Sequence, residues 1–142
     1  MVAFYLLFSL VTLFSDTGTI HLTVQDIQTA QGSMKIAVFN SADSFLEDDK
    51  AIQTYSIPVE DGKDLAVSFT PLPYGTYTIA IFHDVNDNGK LDTNFMGIPK
   101  EPYGFSNNAR SKWGPPKYEA ARFDLQEAEV RTFITVKSWI KQ

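Results

Sequence analysis

The sequence predicts an all-β fold, a single antiparallel β-sandwich of about seven strands with one long ordered loop. Three observations carry this reading. Apolar residues recur at every second position in several separate stretches, the mark of strands with one buried face. Turn-forming clusters lie between those stretches. Helical periodicity is scarce, and a chain of 142 residues with 44% hydrophobic and 20% charged content is sized for one packed domain.

The elements follow in order. Residues 1–15 read as a signal peptide and residues 16–142 as the sandwich domain. The apolar run Val2 to Phe14 carries no charge before Asp16. It is short for a bilayer span but fits the core of a secretory leader. Leu13 and Ser15 suit the positions before a cut after Ser15, although the usual basic residue near the start is absent. Ile20, Leu22 and Val24 then alternate with His21, Thr23 and Gln25. Met34, Ile36 and Val38 form the next strand. Leu65, Val67 and Phe69 form another, followed by Tyr77, Ile79 and Ile81, and near the end by Val130, Ile134 and Val136. Tyr55 to Val59 and Arg122 to Leu125 are shorter candidates. Gln31-Gly32, Asp61-Gly62 and Pro73-Tyr74-Gly75 supply turns. Helix is confined to a turn or two at Ser44–Lys50, after the cap signal Asn40-Ser41, and to Lys117–Ala121.

From Asp84 to about Ala121 the alternation lapses. A structureless loop that long is uncommon in a compact domain, so something must organise it. Its aromatics offer area to bury, and Pro99, Pro102, Pro115 and Pro116 limit its freedom when unfolded. An ordered flap is expected.

Several function classes are excluded or disfavoured. A net charge of −5 argues against nucleic-acid binding, which needs a basic face. It also argues against a polybasic contact with anionic lipid. There is no cysteine, hence no disulfide, thiolate catalysis or Cys-ligated zinc. After removal of the leader no stretch would insert in a membrane. The chain is expected to be exported, to the periplasm or beyond, and to rely on its core, on ions or on partners for stability.

The stretch HDVNDNGKLD, residues 83 to 92, carries the sharpest chemical signal. A hard cation such as calcium needs six to eight oxygens, which a short loop supplies only from alternating positions. Asp84, Asn86 and Asn88 have that spacing. Gly89 falls where an EF-hand loop turns sharply, the Lys90 carbonyl is the next ligand, and Asp92 stands at the ninth position. The twelfth position is Phe95 in place of the bidentate Glu, and no helices flank the loop. Glu101 or Asp87 would have to complete the shell. The alternative is a turn that caps itself, since Asn88-Gly89 is a strong hairpin signal. As a calcium site it would be weak, on the order of 10⁻⁴ to 10⁻³ M, and structural.

Other candidates are weaker. His21 falls on the outward face of its strand. His83 shares parity with Tyr77, Ile79 and Ile81, which points it to the core end, bonded to loop backbone. GFSNN at 104 to 108 lacks the closing glycine of a nucleophile elbow, so Ser106 reads as a loop-internal hydrogen-bonding residue. Tyr103, Phe105 and Trp113 either form a stacking platform or bury inside the flap.

HDVNDNGKLDTNFMGIPKEPYGFSNNA and WGPPKYEAARFDL, with KIAVFNSADSFL and FTPLPYGTYTIAIFHD upstream, resemble the bacterial domain of unknown function family 2141. The resemblance covers nearly all of the chain after the leader and implies a small exported protein without assigning a reaction or ligand. LPYGTYTIAI is more weakly similar to transthyretin-like and adhesin B-type modules. Some of those adhesin repeats hold calcium on a loop similar to DVNDNGKLD, which implies Asp84, Asn86, Asn88 and Asp92 as ligands. The C-terminal KSWIKQ does not match the tail of transthyretin-like hydrolases, so their activity is not carried over. The resulting expectation is a non-enzymatic binding or structural module of prealbumin or immunoglobulin-like type, with a protein or glycan partner. The rival is a glycan or ester hydrolase with Asp84, His83 and Glu101 in a cleft under the flap.

Overall fold

A computed structural model describes residues 16–139; the proposed leader, residues 1–15, lies outside the described residues. The described residues form eight strands and one short helix in the order β1 (Thr17–Gln25), β2 (Ser33–Phe39), β3 (Gln53–Pro58), β4 (Leu65–Pro73), β5 (Gly75–Asp84), β6 (Tyr103–Phe105), α1 (Tyr118–Ala121), β7 (Phe123–Leu125) and β8 (Glu129–Thr135). Two sheets pack as a sandwich. One has the order β4-β1-β8; the other runs β3-β2-β5-β6, with β7 also on β5.

Burial follows the period-two pattern. Ile20, Leu22 and Val24 of β1 face Met34, Ile36 and Val38 of β2 and Ile79 and Ile81 of β5 across one core. Phe69 and Ile134 are fully buried in it, while Phe133, one residue out of phase, is 55% exposed. A single-residue change of phase exchanges the two faces of a strand, which is why the alternation located the strands.

The sandwich is not wholly antiparallel. β1 pairs antiparallel with β4 but parallel with β8. The path of the chain explains this. β7 pairs with the start of β5, Gly75 to Tyr77, so the chain leaves the five-stranded sheet at the end where β1 begins. There the Thr19 N–H donates to the Ala128 carbonyl at 2.9 Å. β8 therefore starts beside the start of β1 and must run with it. The second sheet serves as the long crossover that a parallel pair needs.

The flap has more regular structure than its sequence pattern shows. It holds β6, a 3₁₀ turn at Ser106–Asn108 and α1. β6 has only three residues, all buried, too few for a periodicity to register. Ser44–Lys50 forms successive turns closed by Glu47 N–H to the Ser44 carbonyl and Lys50 N–H to the Glu47 carbonyl, both 3.0 Å, not a helix. Leu46 at φ 64° breaks any helical path there. Among the described residues no helix is long and apolar enough to cross a membrane.

The outer face of the five-stranded sheet carries a second apolar cluster. Tyr103 and Phe105 pack on it with Ala121, Phe45, Leu46 and Phe82. Phe45 meets Phe39, Phe105 and Tyr118 edge-on, at ring separations of 5.9, 6.3 and 5.9 Å. The turns after β2 and helix α1 are thereby fastened over part of that face.

Replacing Phe69 by alanine removes a fully buried ring and is expected to cost about 3–5 kcal/mol. Replacing Phe133 should change stability by no more than about 0.5 kcal/mol. Urea denaturation of the two variants checks the assignment of faces; equal losses would refute it.

Candidate functional site

Strand β5 ends at Asp84, which is fully buried. A carboxylate there is tolerable only with donors around it. Its Oδ1 accepts the Asn88 N–H at 3.1 Å and its Oδ2 the Gly89 N–H at 2.8 Å. The Lys35 ammonium stands 3.6 Å from Oδ2. Gly32, across from this point, has φ 68°. A β-carbon on it would run into the Asp84 carbonyl oxygen and Val85, so only glycine lets the two segments meet this closely.

Glu101 clamps the loop from its far side. It is only 6% exposed. Oε1 accepts the Val85 N–H at 2.9 Å and Oε2 the Asp92 N–H at 3.0 Å. One side chain thus ties both ends of the segment 85–92. The chain then passes through Pro102, whose carbonyl accepts the His83 N–H at 2.8 Å, into β6.

The polar side chains of the loop converge on one another. Asn86 and Asn88 donate through their amide nitrogens to the two oxygens of Asp92, at 2.7 and 2.8 Å. Asn86 Oδ1 accepts the Asn88 N–H at 3.2 Å, and Asn88 Oδ1 accepts the Lys90 N–H at 2.9 Å. These are the local turns that Asn favours. Gly89, at the sixth position, has φ 80°. The two amides hold the Asp92 carboxyl below its ordinary value of 3.8, Asn88 more than Asn86, with the charge of Lys100 assisting.

The predicted site residues therefore stand as follows. The side chains of Asp84, Asn86, Asn88 and Asp92 meet in one hydrogen-bonded loop, and Lys90 contributes backbone to it. Asp87 points elsewhere, its Oδ1 accepting the Ser33 hydroxyl at 2.6 Å. Phe95, at the twelfth position, is 96% exposed. It sits at the tip of a hairpin closed by Lys100 N–H to the Asp92 carbonyl and Asn94 N–H to the Ile98 carbonyl. Among the described residues no group of three or more His, Asp or Glu side chains is arranged to hold a metal ion. His83 is buried, its Nε2 2.6 Å from the Gln31 carbonyl oxygen. His21 lies on the outward face, with Nδ1 2.8 Å from the Ser68 hydroxyl.

Ser106 is fully buried and works within the flap. Its Oγ accepts the Ile79 N–H at 2.9 Å and donates to the Ala121 carbonyl at 2.6 Å. The three aromatics divide. Tyr103 and Phe105 pack edge-on at 5.9 Å, while Trp113 is 90% exposed and apart from their cluster. They do not form one platform.

The sequence did not point to a trough of about 920 Å³ on the outer face of the five-stranded sheet. Register builds it. Ala37 lies opposite Ala80, and Ala80 opposite Phe105. Two short side chains side by side lower the floor. Phe82, Tyr103, Phe105 and Leu46 wall it on one side and Thr54 and Ser56 on the other. Gly89, Lys90 and Leu91 close its end, so the loop held by Asp84 is part of the wall. Alanines on two separate strands carry no signal in a linear sequence.

Two outcomes test this geometry. Glu101→Ala leaves two loop N–H groups without their acceptor, at about 1–3 kcal/mol for each that stays buried, and should accelerate amide exchange at Val85 and Asp92; unchanged exchange would refute the clamp. The pH dependence of Asp92 has a definite sign. A folded value below the unfolded one means that its contribution is complete above about 3.8 and fades as pH falls through the depressed folded value. Carboxyl chemical shifts followed by NMR should give a midpoint for Asp92 below 3.8.

A family model described as an uncharacterized protein conserved in bacteria (DUF2141) matches residues 22–132. That span runs from within β1 to within β8 and includes the loop and the trough. No curated protein matches, and no solved structure matches. The chain belongs to the bacterial DUF2141 family.

Proposed function

We propose that the chain is a non-catalytic binding module, exported from the bacterial cell, whose 84–101 loop is fastened to the sandwich so that it walls a ligand trough and is tightened further by calcium. One observation carries the non-catalytic reading. The three residues a hydrolase would use are engaged with backbone: Asp84 with the N–H groups of Asn88 and Gly89, Glu101 with those of Val85 and Asp92, and His83 with the Gln31 carbonyl. A general base must reach a substrate proton, and these groups are turned into the fold.

The calcium reading is supported by the convergence of Asp84, Asn86, Asn88 and Asp92 in one loop and by the turn at Gly89. With the Lys90 carbonyl they offer oxygen donors on alternating residues. Both carboxylates already accept hydrogen bonds, so an ion would add to a loop that closes by itself. The expected gain is small: a site at tenfold saturation stabilises by about 1.4 kcal/mol. Export is supported by the apolar run Val2 to Phe14.

Thermal melts in calcium, in magnesium and in chelator test the proposal. The melting temperature should rise by a few degrees in calcium alone and not in the Asp92→Ala variant. Identical melting in the three conditions would remove the ion, and hydrolytic turnover abolished by Glu101→Gln would remove the non-catalytic reading.

A further inference from the structure

The trough has a charged end. Beyond the wall formed by Tyr103 lies a second, smaller hollow of about 470 Å³. Arg110, Lys112, Lys137 and Trp139 line it together with Tyr103. The Arg110 guanidinium carbon stands 5.8 Å from the centre of the Tyr103 ring, a cation–π distance. Among the described residues none of these three cations has a carboxylate within ion-pair distance. Three basic side chains gather at one hollow in a chain with net charge −5, where acidic groups outnumber basic ones 17 to 12.

Register connects the two hollows. Lys35 lies opposite Phe82, Phe82 opposite Tyr103, and Tyr103 opposite Lys137. Directly opposed residues share a face of the sheet, so these four form one row across it. Three strand steps separate the two lysines, about 14–15 Å at the usual spacing. Two aromatic rings stand between the two lysines; the Lys35 ammonium donates to the Ser56 hydroxyl at 2.7 Å, and the Thr54 hydroxyl also lies along the β3 side.

We propose that this row is the binding site for an acidic polysaccharide, with sugar rings in the trough and a carboxylate of the polymer in the hollow formed by Arg110, Lys112 and Lys137. The inference rests on the binding-module reading and gives it a ligand class. Sugar rings present C–H faces that pack on aromatic side chains and hydroxyls that bond polar ones, and the trough has one wall of each kind. An acyl chain would offer no partner to the Thr54 hydroxyl or to the Ser56–Lys35 pair beside it. A strand of peptide would join the open edge of a sheet instead of crossing its face. The three cations of the hollow supply the charge complementarity that favours a uronate over a neutral sugar.

The test is affinity gel electrophoresis and calorimetry of the full chain with polygalacturonate, with dextran as the neutral polymer and poly-glutamate as an acidic polymer without rings. Polygalacturonate should retard the protein and bind at least tenfold more tightly than either control. The exposed double variant Lys112→Glu/Lys137→Glu should lose at least tenfold in affinity, and Ala37→Phe, which fills the floor, should abolish binding while its circular dichroism stays that of the parent. No retardation by polygalacturonate, equal retardation by poly-glutamate, or unchanged binding in both variants would overturn the proposal. Those results leave the melts in calcium untouched, so a failed ligand class and a failed loop assignment are told apart.

Discussion

Backbone N–H groups at the end of β5 need acceptors, and two buried carboxylates provide them. Where a strand leaves a sheet, its ladder partners end, and each N–H left inside the protein without an acceptor is costly. Asp84 and Glu101 take four such groups between them, from Val85, Asn88, Gly89 and Asp92. Hydrogen bonds to a charged acceptor are the stronger kind. They let the chain turn out of the sheet within a few residues and return at β6. The same bonds hold Gly89 to Leu91 against the outer face of the sheet, where they close the trough.

The second apolar cluster depends on that return. β6 has three residues and would be marginal alone. It is held by pairing with β5, by Lys137 on its far edge, and by Tyr103 and Phe105 packed among Phe45, Phe82 and Ala121. Ser106 and Asn107 then bond the carbonyls of Ala120, Ala121 and Arg122, which pins helix α1 beside them. Asn108 Oδ1 accepts the Thr135 N–H at 2.8 Å and joins the flap to β8. A long segment with little secondary structure is thus fixed by side chains that satisfy main-chain groups. Asn107 and Asn108 take φ of 59° and 49° to do so, a conformation Asn tolerates better than most residues.

A surface built this way combines a rigid floor with chemistry carried on loops. The alanines that form the floor belong to β2 and β5, the best-supported strands of their sheet. The cations and the loop wall come from segments fastened to it. Binding surfaces positioned by a rigid scaffold are common in β-sandwiches. Here the trough lies on a sheet face that the flap leaves partly open.

The linear sequence determined the longer strands, the core and the closure of the 84–92 loop. Alternation placed Ile20, Leu22, Val24, Ile36, Ile79 and Ile134 inside because the side-chain period of a strand is two and one face was buried. The same parity turned His83 inward, and the spacing of Asp84, Asn86, Asn88 and Asp92 brought them together because residues that close in one turn need few distant contacts. Tertiary structure alone decided the rest. The parallel pairing of β1 with β8 follows from the end at which the chain leaves β7. The use of Glu101 as a clamp follows from the path back into β6. The trough, and the row from Lys35 to Lys137, exist only through the register between strands far apart in the chain, which no local pattern encodes.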